Sequence, residues 1–167
     1  QMNNRRSFIT GIKSTKLSTL EKKFLNRYKP WGVILFSRNI QNIKQTFELT
    51  TSIRKIFNDK KYPILIDQEG GRVNRLKNII VFDSLTSEFF GKMFLKDYKN
   101  FIFFYKLFID KTSYLLKSIG VNINTSPVLD LRIKGKSNVI GDRSFSGDPK
   151  IVSKIGDHCI QYFHQNG

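Results

Sequence analysis

Pro63-Ile64-Leu65-Ile66-Asp67-Gln68-Glu69-Gly70-Gly71-Arg72-Val73-Asn74-Arg75 runs from a short apolar stretch into two carboxylates, a glycine pair and two arginines. Three consecutive aliphatics suit a strand buried on both faces, as in a parallel sheet. The charge at Asp67 takes the chain out of the core at once, into a loop that glycine can bend tightly. In α/β folds, loops at the carboxyl ends of strands are where ligands sit. This stretch is therefore the candidate site.

The other segments extend the same pattern. Residues 7–12 read as a first strand. Ser18 is placed to cap a helix, with Glu21 completing a capping box, and Leu20, Phe24, Leu25 and Tyr28 recur at helical spacing. Pro30 stops that helix. Residues 32–36 form a second apolar run, followed by Ser37-Arg38-Asn39. A second helix is predicted over 46–57, closed by Asn58-Asp59, and the strand 64–66 follows. Residues 85–119 read as one short helix and one long one, with Phe104, Leu107, Phe108, Leu115 and Leu116 as the buried stripe of the long one. Gly120 is placed to end it. A more polar strand covers 121–124, and Pro127-Val128-Leu129-Asp130-Leu131 leads into a glycine-rich loop through Gly147. Asp148-Pro149 opens a last helix, with Ile151, Ile155, Ile160 and Phe163 on its inner side.

Alternating strands and helices predict a parallel sheet with crossover helices. No Gly-x-Gly-x-x-Gly follows the first strand, so the dinucleotide fingerprint is missing. Polar groups follow several strands, at Arg38 with Asn39, at 67–75 and at Asp142 with Arg143, as in barrel sites. The fold class expected is α/β, of (β/α)8 TIM-barrel type. A complete barrel takes about 250 residues, whereas the 167 residues here make about four βα units, the N-terminal half. No internal domain boundary is read across 1–167. A half-barrel exposes sheet edges, so isolated material is expected to self-associate.

Composition narrows the function classes. A hydrophobic content of 40% with 15 phenylalanines excludes a disordered chain. No run approaches the roughly 18 apolar residues of a membrane helix, and no signal peptide follows Gln1-Met2-Asn3-Asn4-Arg5-Arg6. Cys159 is the only cysteine, which fits a reducing, cytoplasmic setting. The net charge of +16 points toward nucleic acid, but the lysines are scattered, as in Lys22-Lys23, Lys60-Lys61 and Lys134-Gly135-Lys136. Alanine is absent while Lys, Asn, Ile and Phe abound, the pattern of AT-rich codons. No specific nucleic-acid role is read from it, only weak, salt-sensitive polyanion binding.

At the candidate site, Asp67 can accept hydrogen bonds from ligand hydroxyls, or it can brace its own loop. Arg75 can return to the same place with its planar fork of donors. Carboxylate and guanidinium together recognise vicinal sugar hydroxyls, which both donate and accept. Arg72 is expected to be solvated or to pair with Glu69. Gly70-Gly71 resembles a phosphate-cradling turn. Asp67 and Glu69, two residues apart, would reach a substrate from one side, unlike the opposed carboxylates of a retaining glycosidase. Asp142 is read as holding Arg143, and Asp130 as either ligand-facing or a loop cap. His158 and His164, six apart, do not share a helix face. No metal constellation or cofactor motif is read.

Together these segments resemble the β-N-acetylhexosaminidases of glycoside hydrolase family 3. The resemblance is carried by residues 31–40, by Ile66-Asp67-Gln68-Glu69-Gly70-Gly71-Arg72-Val73 with Arg75-Leu76, by 120–130 and by Ile140-Gly141-Asp142-Arg143-Ser144-Phe145. It implies removal of terminal β-linked N-acetylglucosamine from small carbohydrates such as muropeptides, in cytoplasmic cell-wall recycling, by a retaining covalent mechanism. By matching motif, Asp67, Arg75 and Arg143 bind the non-reducing sugar, while Glu69 and Asp130 support them. The family's Lys-His-Phe-Pro-Gly-His-Gly stretch, its acid/base histidine and its nucleophilic aspartate are not found in 1–167. The catalytic residues are therefore expected beyond Gly167, in a longer protein. The alternatives are a β-glucosidase of the same family and a catalytically silent sugar- or polyanion-binding fragment.

Overall fold

The strands line up in the order in which the chain makes them. In the computed structural model, which describes residues 4–133, 135 and 138–167, β1 (Arg6–Gly11), β2 (Pro30–Leu35), β3 (Ile64–Ile66) and β4 (Ile123–Asn124) form one parallel sheet, ordered β1-β2-β3-β4. The first three residues and the lysines Lys134 and Lys136 of the charge cluster lie outside the described residues. Sequential parallel order is that of a (β/α)8-type fold, whereas a doubly wound sheet reverses its order at a switch point. Helices α1 (Thr19–Tyr28), α2 (Ile43–Phe57), α3 (Ser87–Lys96), α4 (Tyr98–Ser118) and α5 (Pro149–Gln165) alternate with the strands as expected.

The chain's contacts group into two units. One takes in the chain through Asp67 together with Arg75–Ile80 and Leu116–Asn124; the other takes in Gln68–Asn74, Val81–Leu115 and Thr125–Gly167.

The first unit holds the sheet. Ile64, Leu65 and Ile66 are all buried, as a strand covered on both faces requires. Gly32 lets β2 approach β3, since a Cβ there would lie 2.8 Å from Leu65 Cδ1 and 3.1 Å from the Pro63 carbonyl oxygen. The polar fourth strand has a reason too. Asn122 accepts from the Ile64 amide through Oδ1 at 2.8 Å, and its own amide donates to the Ile64 carbonyl at 3.1 Å. A side chain thereby extends a ladder in which β4 itself contributes two residues. Helix α1 begins as read: Ser18 accepts from the Glu21 amide and Glu21 reaches back to the Ser18 amide. It ends on Lys29 at φ 47°, and Pro30 opens β2. Helix α2 starts earlier than the predicted residue 46, because Asn42 caps it. Buried Thr50 donates to the Ile119 carbonyl at 2.9 Å.

The second unit is built on aromatic rings. Phe90, Phe101 and Tyr105 are fully or almost fully buried, with the Phe90–Tyr105 and Phe101–Tyr105 centroids 4.7 and 5.1 Å apart. The predicted stripe of α4 is corrected in part. Phe108, Leu115 and Leu116 are buried, but Phe104 and Leu107 are exposed, and Phe101, Tyr105 and Ile109 take the inward positions. The helix is apolar around most of its girth, so spacing alone could not choose the inner stripe. In α5, Ile155 is buried as expected, while Ile160 is exposed and Val152, Cys159 and Tyr162 face inward. No helix of the described residues is long and apolar enough to cross a membrane.

Gly91 marks the closest packing in this unit. An ideal Cβ there falls 1.8 Å from the Phe145 carbonyl oxygen. Glycine to alanine inside a helix ordinarily stabilises by about 0.5–1 kcal/mol. Gly91→Ala is expected to reverse that sign, costing about 1–3 kcal/mol as in other overpacked sites. Urea unfolding of the two proteins measures the difference, and a gain in stability would contradict this packing.

Candidate functional site

At the carboxyl end of β3 the chain turns polar within one residue. Asp67 follows Ile66, and in the first unit its Oδ2 lies 3.7 Å from Arg75 Nη2. The two side chains are 31% and 28% exposed, so each keeps a face toward solvent. Phe36, just after β2, lies beneath the arginines: the Arg75 guanidinium sits 5.4 Å from its ring centre and that of Arg38 4.6 Å. At such distances the ring face attracts both cations. Sequence reasoning missed Phe36, although an aromatic closing an apolar strand directly before Ser37-Arg38-Asn39 was a signal that could have been used.

Arg38 and Asn39 turn out to fasten loops. Asn39 is wholly buried; it accepts from the Phe36 amide and donates to the carbonyls of Ile12 and Ser14 at 3.1 and 2.9 Å. Arg38 Nε donates to Ile12 at 3.0 Å. Asn39 thus ties the segment after β2 to the segment after β1, and has no surface left for a ligand.

The turn of residues 68–74, in the second unit, is shaped by its glycines. Gly70 has φ +93° and Gly71 φ +55°, conformations that L side chains rarely adopt. A Cβ on Gly70 would also lie 2.5 Å from the Leu85 carbonyl oxygen, and one on Gly71 2.8 Å from Thr86 Cγ2. The Gly71 amide is committed to the Phe82 carbonyl at 2.9 Å. The pair is accounted for by backbone geometry, without a phosphate. Gln68 and Asn74 close the turn with a buried 3.0 Å hydrogen bond.

Two ion pairs hang from this turn, and their partners are exchanged relative to expectation. Arg72 does not pair with Glu69, and Asp142 does not hold Arg143. Glu69 instead receives two hydrogen bonds from Arg143, Nε to Oε2 at 2.8 Å and Nη2 to Oε1 at 2.7 Å. The Glu69 side chain is 9% exposed, so this planar two-point contact is shielded from water and strong. Arg72 turns to Asp142, Nε to Oδ1 at 2.9 Å. Its Nη2 is surrounded by the carbonyls of Asn138, Val139 and Ile140 at 2.9, 2.6 and 3.1 Å. Arg143 lies on a 3₁₀ turn, Gly141–Arg143. The next residue, Ser144, brings its hydroxyl within 2.7 Å of the Asp130 carbonyl. Asp130 is exposed and enters this arrangement through its main chain.

The remaining titratable candidates are structural. Cys159 is buried and its thiol is pushed up to about 11 by that burial, which disfavours the nucleophilic thiolate. His158 lies 3.2 Å from the Tyr98 hydroxyl and stacks on Tyr162. Among the described residues, no group of three or more His, Cys, Asp or Glu could hold a metal ion.

The chain is similar to proteins of one family. The description "Glycosyl hydrolase family 3 N terminal domain" matches residues 6–167. A β-hexosaminidase of Hydrogenovibrio crunogenus is 36% identical over 95% of this chain and 44% of its own length. One from Xanthomonas euvesicatoria pv. vesicatoria is 32% identical over 95% of this chain and 46% of its own. The crystal structure of NagZ from Neisseria gonorrhoeae with N-trifluoroacetyl-D-glucosamine superposes with a TM-score of 0.86 at 28% identity, over 98% of this chain and 48% of that one. The chain thus spans about half the length of the relatives it matches.

Acid sensitivity near the start of α3 follows from one carboxylate. Hydrogen bonds from Arg132 and Lys92 pull Glu88 from its ordinary 4.5 down to about 2, with Arg132 Nη2 2.9 Å and Lys92 Nζ 2.8 Å away. A depressed carboxylate adds stability that is fully present above pH 4.5 and is lost as the pH falls toward 2. Glu88→Gln is therefore expected to flatten the loss of stability across that window and to lower stability at neutral pH. Denaturant midpoints measured from pH 7 downward give both.

Proposed function

The chain belongs to glycosyl hydrolase family 3, and from that premise we propose that it is the sugar-holding portion of an enzyme that removes terminal non-reducing β-linked N-acetylglucosamine. Residues 1–167 form the N-terminal part of a single catalytic barrel. Asp67, Arg75 and Arg143 hold the sugar through its hydroxyls, while Glu69 and Asp130 support them. Cleavage in the complete protein proceeds with retention, through a covalent glycosyl-enzyme. The substrates are muropeptides or related oligosaccharides, and the role is peptidoglycan recycling in the cytoplasm.

The observation that carries this reading is the Asp67–Arg75 pair at the carboxyl end of β3. At 3.7 Å the two groups attract each other but are beyond hydrogen-bond length. With the two side chains 31% and 28% exposed, a sugar hydroxyl can donate to the carboxylate and accept from the guanidinium, and a second hydroxyl on the adjacent carbon can repeat the pattern. The N-acetylglucosamine preference is supported by the N-trifluoroacetyl-D-glucosamine bound to the gonococcal relative.

Recognition is assigned to this portion because Asp67, Glu69 and Asp142 each face an arginine. A glycosidase acid must be poised against the scissile bond, whereas Glu69 is clasped by Arg143 at two points. Residues 1–167 alone are accordingly expected to release no phenol from an aryl N-acetyl-β-glucosaminide, and appreciable release would overturn the division of labour. In the complete protein, Asp67→Ala removes a charge-assisted contact worth about 1.5–3 kcal/mol, or roughly a 10- to 100-fold loss in kcat/KM. The pre-steady-state burst that reports the covalent intermediate is expected to persist. Unchanged kcat/KM would remove Asp67 from the site.

A further inference from the structure

The Gly70-Gly71 turn carries Glu69 on one side and Arg72 on the other, and both reach the segment around Arg143. Glu69 fixes the Arg143 guanidinium directly. Arg72 touches no proposed sugar-binding side chain, yet it makes four close contacts to the residues just before Arg143 and beside it. Its Nη2 gathers three successive carbonyls, of Asn138, Val139 and Ile140, and its Nε holds Asp142.

The gathered carbonyls are those that shape the 3₁₀ turn. Ile140's carbonyl also receives the Arg143 amide at 2.9 Å, and the Val139 carbonyl lies 3.4 Å from Arg143 Nη1. Gly141 sits at φ +47°, with its Cβ direction 3.6 Å from Arg72 Nη2. Three carbonyl dipoles turned toward one point repel one another unless a cation stands there. The guanidinium supplies that charge in a fixed plane, which an ammonium on a flexible stem does not.

We propose that Arg72 is a positioning residue for sugar recognition: by gathering the Asn138, Val139 and Ile140 carbonyls and holding Asp142, it fixes the 3₁₀ turn that presents Arg143. The inference rests on the assignment of Arg143 to sugar binding. Glu69 and Arg72 then act as two clamps on one arginine, the first on its side chain and the second on its backbone.

Kinetics of the complete protein with an aryl N-acetyl-β-glucosaminide test it, because a merely stabilising residue alters the folded fraction and not the KM of folded enzyme. Arg72→Met, which keeps the stem and loses every donor, is expected to raise KM by about 5- to 20-fold with kcat changed by less than about threefold, and Arg72→Lys to recover part of the loss. In an Arg143→Ala background, Arg72→Met is expected to raise KM no further, since two groups acting as a unit are non-additive. An unchanged KM in folded Arg72→Met, or an equal rise in the Arg143→Ala background, overturns the inference. Should Arg143→Ala and Asp67→Ala both leave KM unchanged, it is the sugar-binding assignment that fails. Should those two raise KM while Arg72→Met does not, the positioning role alone fails. If Arg72→Met does not fold, Asp142→Asn, which loosens the same clamp at its exposed end, is expected to raise KM in the same direction, and an unchanged KM there overturns the inference.

Discussion

The two-point contact between Glu69 and Arg143 joins residues 74 positions apart in the chain, and the loops of the second unit are arranged around it. Glu69 is almost inaccessible to water, so its charge is tolerable there because a guanidinium matches both oxygens. Hydrogen bonds to charged groups contribute about 1.5–3 kcal/mol, and removing one partner leaves the other desolvated and unmatched. Glu69 is in turn placed by the Gly70-Gly71 turn, whose positive φ angles and close neighbours exclude a side chain. A backbone constraint thereby becomes an electrostatic one, and the electrostatic one orients a guanidinium.

A parallel logic holds in the first unit with weaker contacts. Asp67 inherits its place from β3, whose burial fixes where the strand stops, and Arg75 lies over the Phe36 ring. The two arginines are about equally exposed, whereas Glu69 is far more buried than Asp67 and is held at a shorter distance. That difference between the carboxylates is in keeping with the proposal that Glu69 supports an arginine while Asp67 meets the ligand.

Much of this was legible in the residues because it is local. The Ser18–Glu21 capping box, the αL glycine Gly120 and the buried run Ile64–Ile66 depend on neighbours a few positions away. The exchanged partners of Arg72 and Arg143 were not legible, because four charges on two distant loops can be matched in two ways and spacing does not choose between them. The same holds for α4. Phe101, Phe103, Phe104, Tyr105, Leu107 and Phe108 offer overlapping apolar stripes, and only tertiary packing selects Phe101, Tyr105 and Phe108 for the interior. Asn39 misled for a related reason. A polar residue after a strand signals a ligand contact until its amide is seen to satisfy three backbone groups.

The charge distribution bears on what such loops can hold. The chain carries +16 overall, yet each arginine of the 67–75 and 138–143 segments faces a carboxylate: Arg75 with Asp67, Arg143 with Glu69, Arg72 with Asp142. Three cations against three anions leave these segments close to neutral, while the lysine excess lies elsewhere along the chain. A phosphate-rich polyanion is attracted by uncompensated cations and pairs with them by displacing counterions. A neutral polyol gains little from net charge and much from donors and acceptors set side by side. Within each unit, paired carboxylate and guanidinium set donors and acceptors side by side, which is in keeping with the proposed sugar recognition and not with the polyanion that the bulk charge suggests.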